Sequence, residues 1–154
     1  MKLKRKKERQ LVLEALYAWH MAPKEINSII ADISYLHQLH MEVSPYVRMS
    51  LENVINNREV LDGIIDKYLN DWDFNRVAPL DIALLRLALA EMLYSDDIPP
   101  EVSINEVIEL SKKYSNDKAP KFINGILDTA LKDLMKEGKI RKTGKAAFNR
   151  KNEK

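Results

Sequence analysis

The stretch PLDIALLRLALAEML, from Pro79 to Leu93, decides the fold of this chain. Its apolar residues recur with the spacing of a helix and not with the strict alternation of a strand. A helix that is apolar around most of its circumference is typical of the centre of a bundle. We therefore predict that this segment forms the central and most buried helix.

Helical periodicity recurs on both sides of this segment, and strand alternation does not. We predict six further helices, over residues 3–20, 24–40, about 45–56, 59–69, 103–114 and 119–136. Ser44 followed by Pro45 is a typical helix start, and Ser103 with Glu106 fits a capping box. The segment 70–78 has no period and is the best internal boundary. The sequence thus predicts an all-α bundle of about seven helices.

Charge is concentrated at the two ends of the chain. Residues 1–9 sum to +5 and residues 136–154 to +6, whereas the whole chain carries +2, so residues 10–135 must carry −9. The arm at residues 1–9 runs straight into a helix, an arrangement that presents cations to a phosphate backbone in fixed register. A solvated or targeting arm is the alternative. Residues 137–154 lack apolar periodicity, and we predict a basic, disordered tail there.

No motif in the chain argues for catalysis. The chain has no cysteine and only four glycines, none of them in a phosphate-binding arrangement. His37 and His40 are three residues apart on a helix, but two ligands alone do not hold a metal ion. We therefore expect a non-enzyme without cofactor or metal. No apolar run is long enough to span a bilayer, and we expect no membrane partner and a cytoplasmic location.

Two aromatic residues stand apart from the apolar stripes. Tyr17 lies two turns beyond the basic arm, and Phe122 follows Lys121 near the start of the last helix. Aromatic rings beside cations suit single-stranded RNA, whose unpaired bases stack while its phosphates pair with Lys and Arg. The alternative for Phe122 is a core position, which helical spacing also allows.

Several segments together resemble the NusB family of transcription antitermination factors. They are, in order, the basic arm with ALYAW (15–19), DIALLRLALAE (81–91), DIP (97–99), INEVIELSK (104–112) and KFINGILD (121–128). The resemblance covers about residues 2–133. It implies a single NusB-like domain over residues 1–136, made of two small helical bundles at about 1–70 and 79–136. It also implies that the chain binds the boxA element of nascent ribosomal RNA together with the ribosomal protein NusE, in the RNA polymerase antitermination complex.

The resemblance also implies which residues serve each partner. The RNA-binding residues matched by position are Lys2, Lys4, Arg5, Lys6, Lys7, Arg9, Tyr17, Lys121 and Phe122. The arm of this chain is mostly lysine where the family favours arginine, which keeps the charge but loses the planar fork that binds phosphate bidentately. Asp81 and Arg86 match the NusE-facing helix. Asp81 could instead be a first-turn carboxylate favoured by the helix dipole, and Arg86 an internal ion-pair partner.

Two rival functions remain open at this stage. NusB-like domains also occur fused to RNA methyltransferases, but no cofactor-binding domain follows before Lys154, so we expect no such activity. The other rival is a helical scaffold that binds only protein and uses its basic ends for solubility. RNA binding measured with and without a protein partner discriminates the two. The sequence leaves the oligomeric state open, a homodimer included.

Overall fold

The computed structural model describes residues 3–40, 42–70 and 72–142. Within these ranges the chain forms seven α-helices and no strand, which confirms the predicted all-α class. The helices are α1 (Arg5–Met21), α2 (Ile26–Leu36), α3 (Pro45–Asn56), α4 (Arg58–Lys67), α5 (Pro79–Tyr94), α6 (Pro100–Tyr114) and α7 (Ala119–Lys136), with a 3-10 turn at Phe74–Arg76.

Helix α5 is the centre of the fold, as its sequence predicts. Every residue from Asp81 to Met92 is buried. Helix α5 packs against α1, α3, α4, α6 and α7. Burying an apolar side chain fully is worth about 1.5–3 kcal/mol. The helix therefore supplies much of the burial that holds the fold together. The division into subdomains at 1–70 and 79–136 stays a prediction.

The second helix is shorter than predicted, since it ends at Leu36 and not near His40. Gln38 has φ +51°, which is the left-handed conformation that commonly follows a helix end. The next backbone N–H, that of Leu39, donates back to the carbonyl oxygen of Ser34 at 2.9 Å. This closing hydrogen bond satisfies a free carbonyl at the helix end, and the apolar spacing beyond it does not extend the helix.

The sixth helix begins one turn earlier than the capping-box pattern predicts. It begins at Pro100, where the lack of a backbone N–H carries no penalty and φ is already helical. The carbonyl oxygen of Pro99 accepts from the N–H groups of Val102 and Ser103. Ser103 is therefore not a cap, and its buried hydroxyl serves a different purpose described below.

Residues 137–142 belong to the folded body, which corrects the prediction that a disordered tail begins at residue 137. Gly138 turns the chain after α7 with φ +74°, a conformation that glycine adopts without strain. The N–H of Ile140 donates to the carbonyl oxygen of Leu134 at 3.2 Å, and the Ile140 side chain is buried in the core.

Lys142 ends the described chain and closes the carboxyl end of α5. Its ammonium group donates to the carbonyl oxygens of Glu91, at 2.9 Å, and of Ser95. Helix ends leave such carbonyls without intrahelical partners, and a cation there also suits the helix dipole. Burial lowers the pKa of Lys142, against the opposing influence of nearby carboxylates. Residues 143–154 of the predicted tail lie outside the described residues.

Candidate nucleic-acid interface

The basic arm forms the start of α1. Lys4 directly precedes the helix and Arg5, Lys6 and Lys7 lie in its first turn. Lys4, Arg5 and Lys6 are exposed and Lys7 is half-buried. The free N–H groups of a helix start add positive potential of their own. The arm therefore presents lysine ammonium groups in helical register. Lys2 lies outside the described residues.

Arg5 is exposed but attached to the body. Its Nε donates to Glu8 Oε1 at 3.2 Å, and its guanidinium lies 4.1 Å from the centre of the Tyr46 ring. A guanidinium over an aromatic face gains roughly 0.5–1 kcal/mol at an exposed site. Arg5 thus fixes the arm against α3 as well as contributing charge.

Arg9 is not on the surface, which corrects its placement with the RNA-facing residues. It is 4% exposed, and its guanidinium donates twice to the Glu91 carboxylate, with both distances 3.0 Å. Burial opposes the charge, but the hydrogen bonds and charge of Glu91 outweigh it and raise the pKa of Arg9. Arg9 shares a helix face with Val12 and Leu16, and that spacing is the signal that could have predicted its inward position.

Glu91 is the centre of a buried polar network that the sequence analysis missed. Its carboxylate accepts from Arg9, from the Tyr46 hydroxyl and, at 2.8 Å, from the Ser103 hydroxyl. Burial and the charge of Glu91 raise the pKa of Tyr46, so the phenol remains a donor. The network joins α1, α3, α5 and α6. The local signal for it was a carboxylate within a helix that is apolar around most of its circumference.

A groove between α1 and α6 adds two lysines to the cations of the arm. Lys6, Lys112 and Lys113 line this groove, which has a volume of about 330 Å³. Glu106 and Glu109 also line it, and Glu109 pairs with Lys112 at 3.1 Å. Lys112 and Lys113 are not among the RNA-binding residues predicted from the sequence, although two adjacent lysines in a last helical turn were a visible signal. The arm and the end of α6 therefore form one charged surface.

Tyr17 lies on the same side of α1 as this groove. It is eleven residues beyond Lys6, which at 100° per residue brings it within about 20° of the same direction and about 16 Å further along the axis. Gln10 lies between them on that side and lines the groove. Tyr17 is 40% exposed. A partner that follows the groove along α1 reaches this ring.

Lys121 and Phe122 line a second, larger groove of about 940 Å³ at the start of α7. Lys121 is exposed, whereas Phe122 is half-buried and packs in part against the core. Trp72, which the sequence analysis did not select, lies beside Phe122 with ring centroids 6.5 Å apart at 61°. The Phe122 ring therefore packs against the core on one part of its surface and against the exposed Trp72 ring on another.

Asp81 lines the same groove as Lys121 but is itself only 5% exposed. Its Oδ1 accepts from the Ser115 hydroxyl at 2.7 Å, which ties α5 to the loop after α6. Burial raises the pKa of Asp81, and the hydrogen bond from Ser115 partly opposes this. The structure therefore places Asp81 at the base of the groove and not on an open partner-facing surface.

Arg86 is buried and internally paired, which corrects its placement on a partner-facing surface. Its Nε and Nη2 donate to the Asp62 carboxylate, each at 2.8 Å, and its Nη1 donates to His20 Nδ1 at 3.1 Å. Burial, and next the charge of Arg86, lower the pKa of His20. The internal ion-pair interpretation of Arg86 is thus the one that the structure supports. The pair joins α4 to α5.

The described part of the chain offers no metal site and no membrane span. No group of three or more His, Cys, Asp or Glu side chains there could hold a metal ion. His37 instead pairs with Glu14, with 2.5 Å between Nε2 and Oε2. None of the helices among residues 3–40, 42–70 and 72–142 is long and apolar enough to cross a membrane.

A family model describes this arrangement of helices and motifs over most of the chain. The NusB family model matches residues 6–132. The chain belongs to the NusB family. The transcription antitermination protein NusB of Chloroherpeton thalassium is 36% identical over 144 residues, 93% of this chain and 68% of that protein. The NusB of Methylacidiphilum infernorum is 37% identical over 132 residues, 85% of this chain and 92% of that protein.

Solved structures of NusB proteins share the fold of this NusB-family chain. NusB of T. maritima superimposes with a TM-score of 0.79 at 31% identity, covering 97% of this chain and 99% of the other. A second NusB structure, of antitermination factors NusB and NusE in complex with dsRNA, gives a TM-score of 0.75 at 25% identity and covers 84% and 96%. The resemblance drawn from the sequence segments is thereby confirmed.

Proposed function

We propose that this protein is a non-catalytic, RNA-binding transcription antitermination factor that binds boxA RNA together with NusE. The observation that carries the proposal is a set of exposed or half-buried cations with aromatic rings, which line or flank two grooves joined by the end of α6. We call this set the basic track. We define the basic track by its residues, which are Lys4, Lys6, Lys7, Tyr17, Lys112, Lys113, Lys118, Lys121 and Phe122.

The two grooves of the basic track are connected by a short stretch of the chain at the end of α6. Lys113 lines the groove beside α1, and Asn116, three residues later, already lines the groove beside Phe122. Tyr114 lies between them, partly exposed, with the Lys113 ammonium 5.1 Å from its ring centre. Cations that follow a backbone and rings on which bases stack are the two parts of a single-strand binding surface.

The relatives support the identity of the two partners. A NusB protein with the same fold has been solved with NusE and double-stranded RNA. Relatives that are 36% and 37% identical over the aligned residues are named transcription antitermination proteins. In this role the chain acts in the RNA polymerase antitermination complex, in the bacterial cytoplasm where transcription takes place. Light scattering of the protein alone tests the homodimer that the sequence leaves open.

The salt dependence of RNA binding tests the proposal. Replacing Lys4, Lys6 and Lys7 with Gln should flatten the slope of log K against log salt by up to about 2, since each phosphate contact on a single strand contributes roughly 0.7. Fluorescence anisotropy of a labelled boxA-type RNA measures K at several salt concentrations. Arg9 is kept, because it belongs to the buried network.

A matched triple variant provides the control. Lys24, Lys67 and Lys139 are exposed lysines that line neither groove of the basic track, and each pairs with a carboxylate. Replacing these three with Gln removes the same total charge. The proposal predicts a nearly unchanged slope for this variant. Equal slopes for the two triple variants would show that binding depends on overall charge, and the basic track would not be the RNA surface.

A further inference from the structure

Trp72 is a large aromatic residue whose side chain is mostly exposed to solvent. It lies in the connection between α4 and α5. It is 63% exposed. A single exposed apolar side chain is common on proteins and needs no explanation by itself. Trp72 differs because it lies in a concave groove and packs at 61° against a second ring, that of Phe122, at 6.5 Å. Two rings set at such an angle form a corner, so a flat ligand that stacks on one ring meets the other with its edge.

Cations surround this aromatic corner. Arg76, Lys118 and Lys121 are exposed and line the same groove. Among the described residues that line the groove, two are carboxylates: Asp81 is buried and bound to Ser115, and Asp117 faces solvent. The exposed charges of these described lining residues of the groove therefore sum to a positive value, which favours an anionic ligand. Its volume of about 940 Å³ is large enough for a nucleotide.

We propose that Trp72 is an RNA-stacking residue, on which one unpaired base lies with its edge against Phe122 while flanking phosphates pair with Lys118 and Lys121. The proposal rests on the RNA-binding function proposed above and adds a residue to it. An RNA segment is favoured over a protein segment because exposed cations surround the aromatic pair. Aromatic stacking accepts any base, so Trp72 contributes affinity for unpaired RNA more than sequence preference.

Replacing Trp72 with Leu tests this directly. Stacking on an aromatic ring is worth enough that its loss should weaken binding of a boxA-type single-stranded RNA roughly 5- to 150-fold. Trp72→Tyr keeps a stacking ring and should retain most of the affinity. Tyr35→Leu is the matched control, since Tyr35 is an 88% exposed aromatic residue on α2 that does not line the groove. Its RNA affinity should equal that of the wild type.

Tryptophan fluorescence gives a second readout that a purely structural role would not change. The chain has two tryptophans, and Trp19 is buried while Trp72 is exposed. Saturating RNA should quench the exposed component, and this quenching should disappear in Trp72→Leu. Circular dichroism of each variant checks that the helices are intact.

Three outcomes would overturn the inference, and they are distinguishable. If the wild type binds the RNA but Trp72→Leu binds it equally well, Trp72 is not a stacking residue while the proposed function stands. If Trp72→Leu keeps its RNA affinity and loses NusE, the groove holds a protein segment. If the wild type binds no RNA with or without NusE, the proposed function fails and this inference fails with it.

Discussion

The Glu91 carboxylate is the counter-charge of the buried Arg9 guanidinium, so substitutions at Glu91 should strongly affect the stability of the fold. Both Arg9 and Glu91 are almost fully buried, so Glu91→Gln leaves a guanidinium in the core without its counter-charge. We expect the free energy of unfolding to fall by about 3–5 kcal/mol, as measured by urea unfolding at neutral pH. Glu109→Gln removes an exposed partner of Lys112 and should change it by less than about 1 kcal/mol. Equal effects of the two substitutions would contradict a structural role for the Glu91 network.

His20 should make the stability depend on pH. Its Nδ1 accepts from Arg86, and burial together with the Arg86 charge lowers its pKa, so the folded state disfavours the protonated ring. The unfolded chain, with a His pKa near 6.5, then binds more protons below that pH. The free energy of unfolding should therefore fall as the pH drops from about 7.5 to about 5.5.

The variant His20→Gln isolates this effect, because Gln can still accept from Arg86 but does not titrate. Asp62, Arg58 and Glu59 line the same pocket and are present in both proteins, which differ only at residue 20. Urea unfolding at both pH values should give a smaller loss in the variant than in the wild type. A loss of the same size in both would place the pH dependence elsewhere.

At the scale of elements, the segment 137–142 acts as a strap that holds α7 to the end of α5. Ile140 is its buried anchor, so Ile140→Ala should lower the free energy of unfolding by about 2–5 kcal/mol. Val60→Ala on the exposed side of α4 is the control, with an expected change within about 0.5 kcal/mol. Thermal or urea unfolding measures both. If Ile140→Ala left the free energy of unfolding unchanged, residues 137–142 would not contribute to the stability of the fold.

At the scale of the whole molecule, the opposed charges predict that the two partners help each other. Residues 10–135 carry −9 and repel RNA, while the ends are basic. A basic ribosomal protein docked on the acidic body would cancel that repulsion, so NusE should tighten RNA binding by ~1–3 kcal/mol. Linkage requires RNA to tighten NusE binding equally.

Calorimetric titration of RNA into the protein, with and without NusE, measures this coupling. The variant in which Lys4, Lys6 and Lys7 are replaced with Gln should bind RNA weakly. In the absence of RNA, it should bind NusE with the affinity of the wild type. That result would separate the RNA surface from the NusE surface. Unchanged RNA affinity in the presence of NusE would refute the charge argument.

The sequence by itself determined the helical class, the family and the central helix. The helical class and the central helix follow from local periodicity, since Pro79–Leu93 is apolar around most of its circumference and its residues Asp81–Met92 are buried. The predicted bounds of α7, 119–136, are those observed. The family follows from the sequence segments that resemble NusB proteins, and the family model confirms it. The sequence prediction was wrong at two helix ends. The end of α2 is set by the backbone conformation at Gln38, and the start of α6 is set by Pro100. A period reports which residues face inward, but not which dihedral angles end a helix.

Only the tertiary structure decided which charged residues are free to bind a partner. Arg9 and Lys6 stand in the same basic run, but Arg9 meets Glu91, 82 residues further along the chain, and Lys6 stays in water. Arg86 is likewise withdrawn from the surface by Asp62, 24 residues away. A buried charge requires a partner, since the interior solvates ions poorly. Helical spacing indicates that Arg9 faces inward, but the partner that allows its burial is 82 residues away and leaves no local pattern. The identity of the partner of each buried charge is therefore decided by packing.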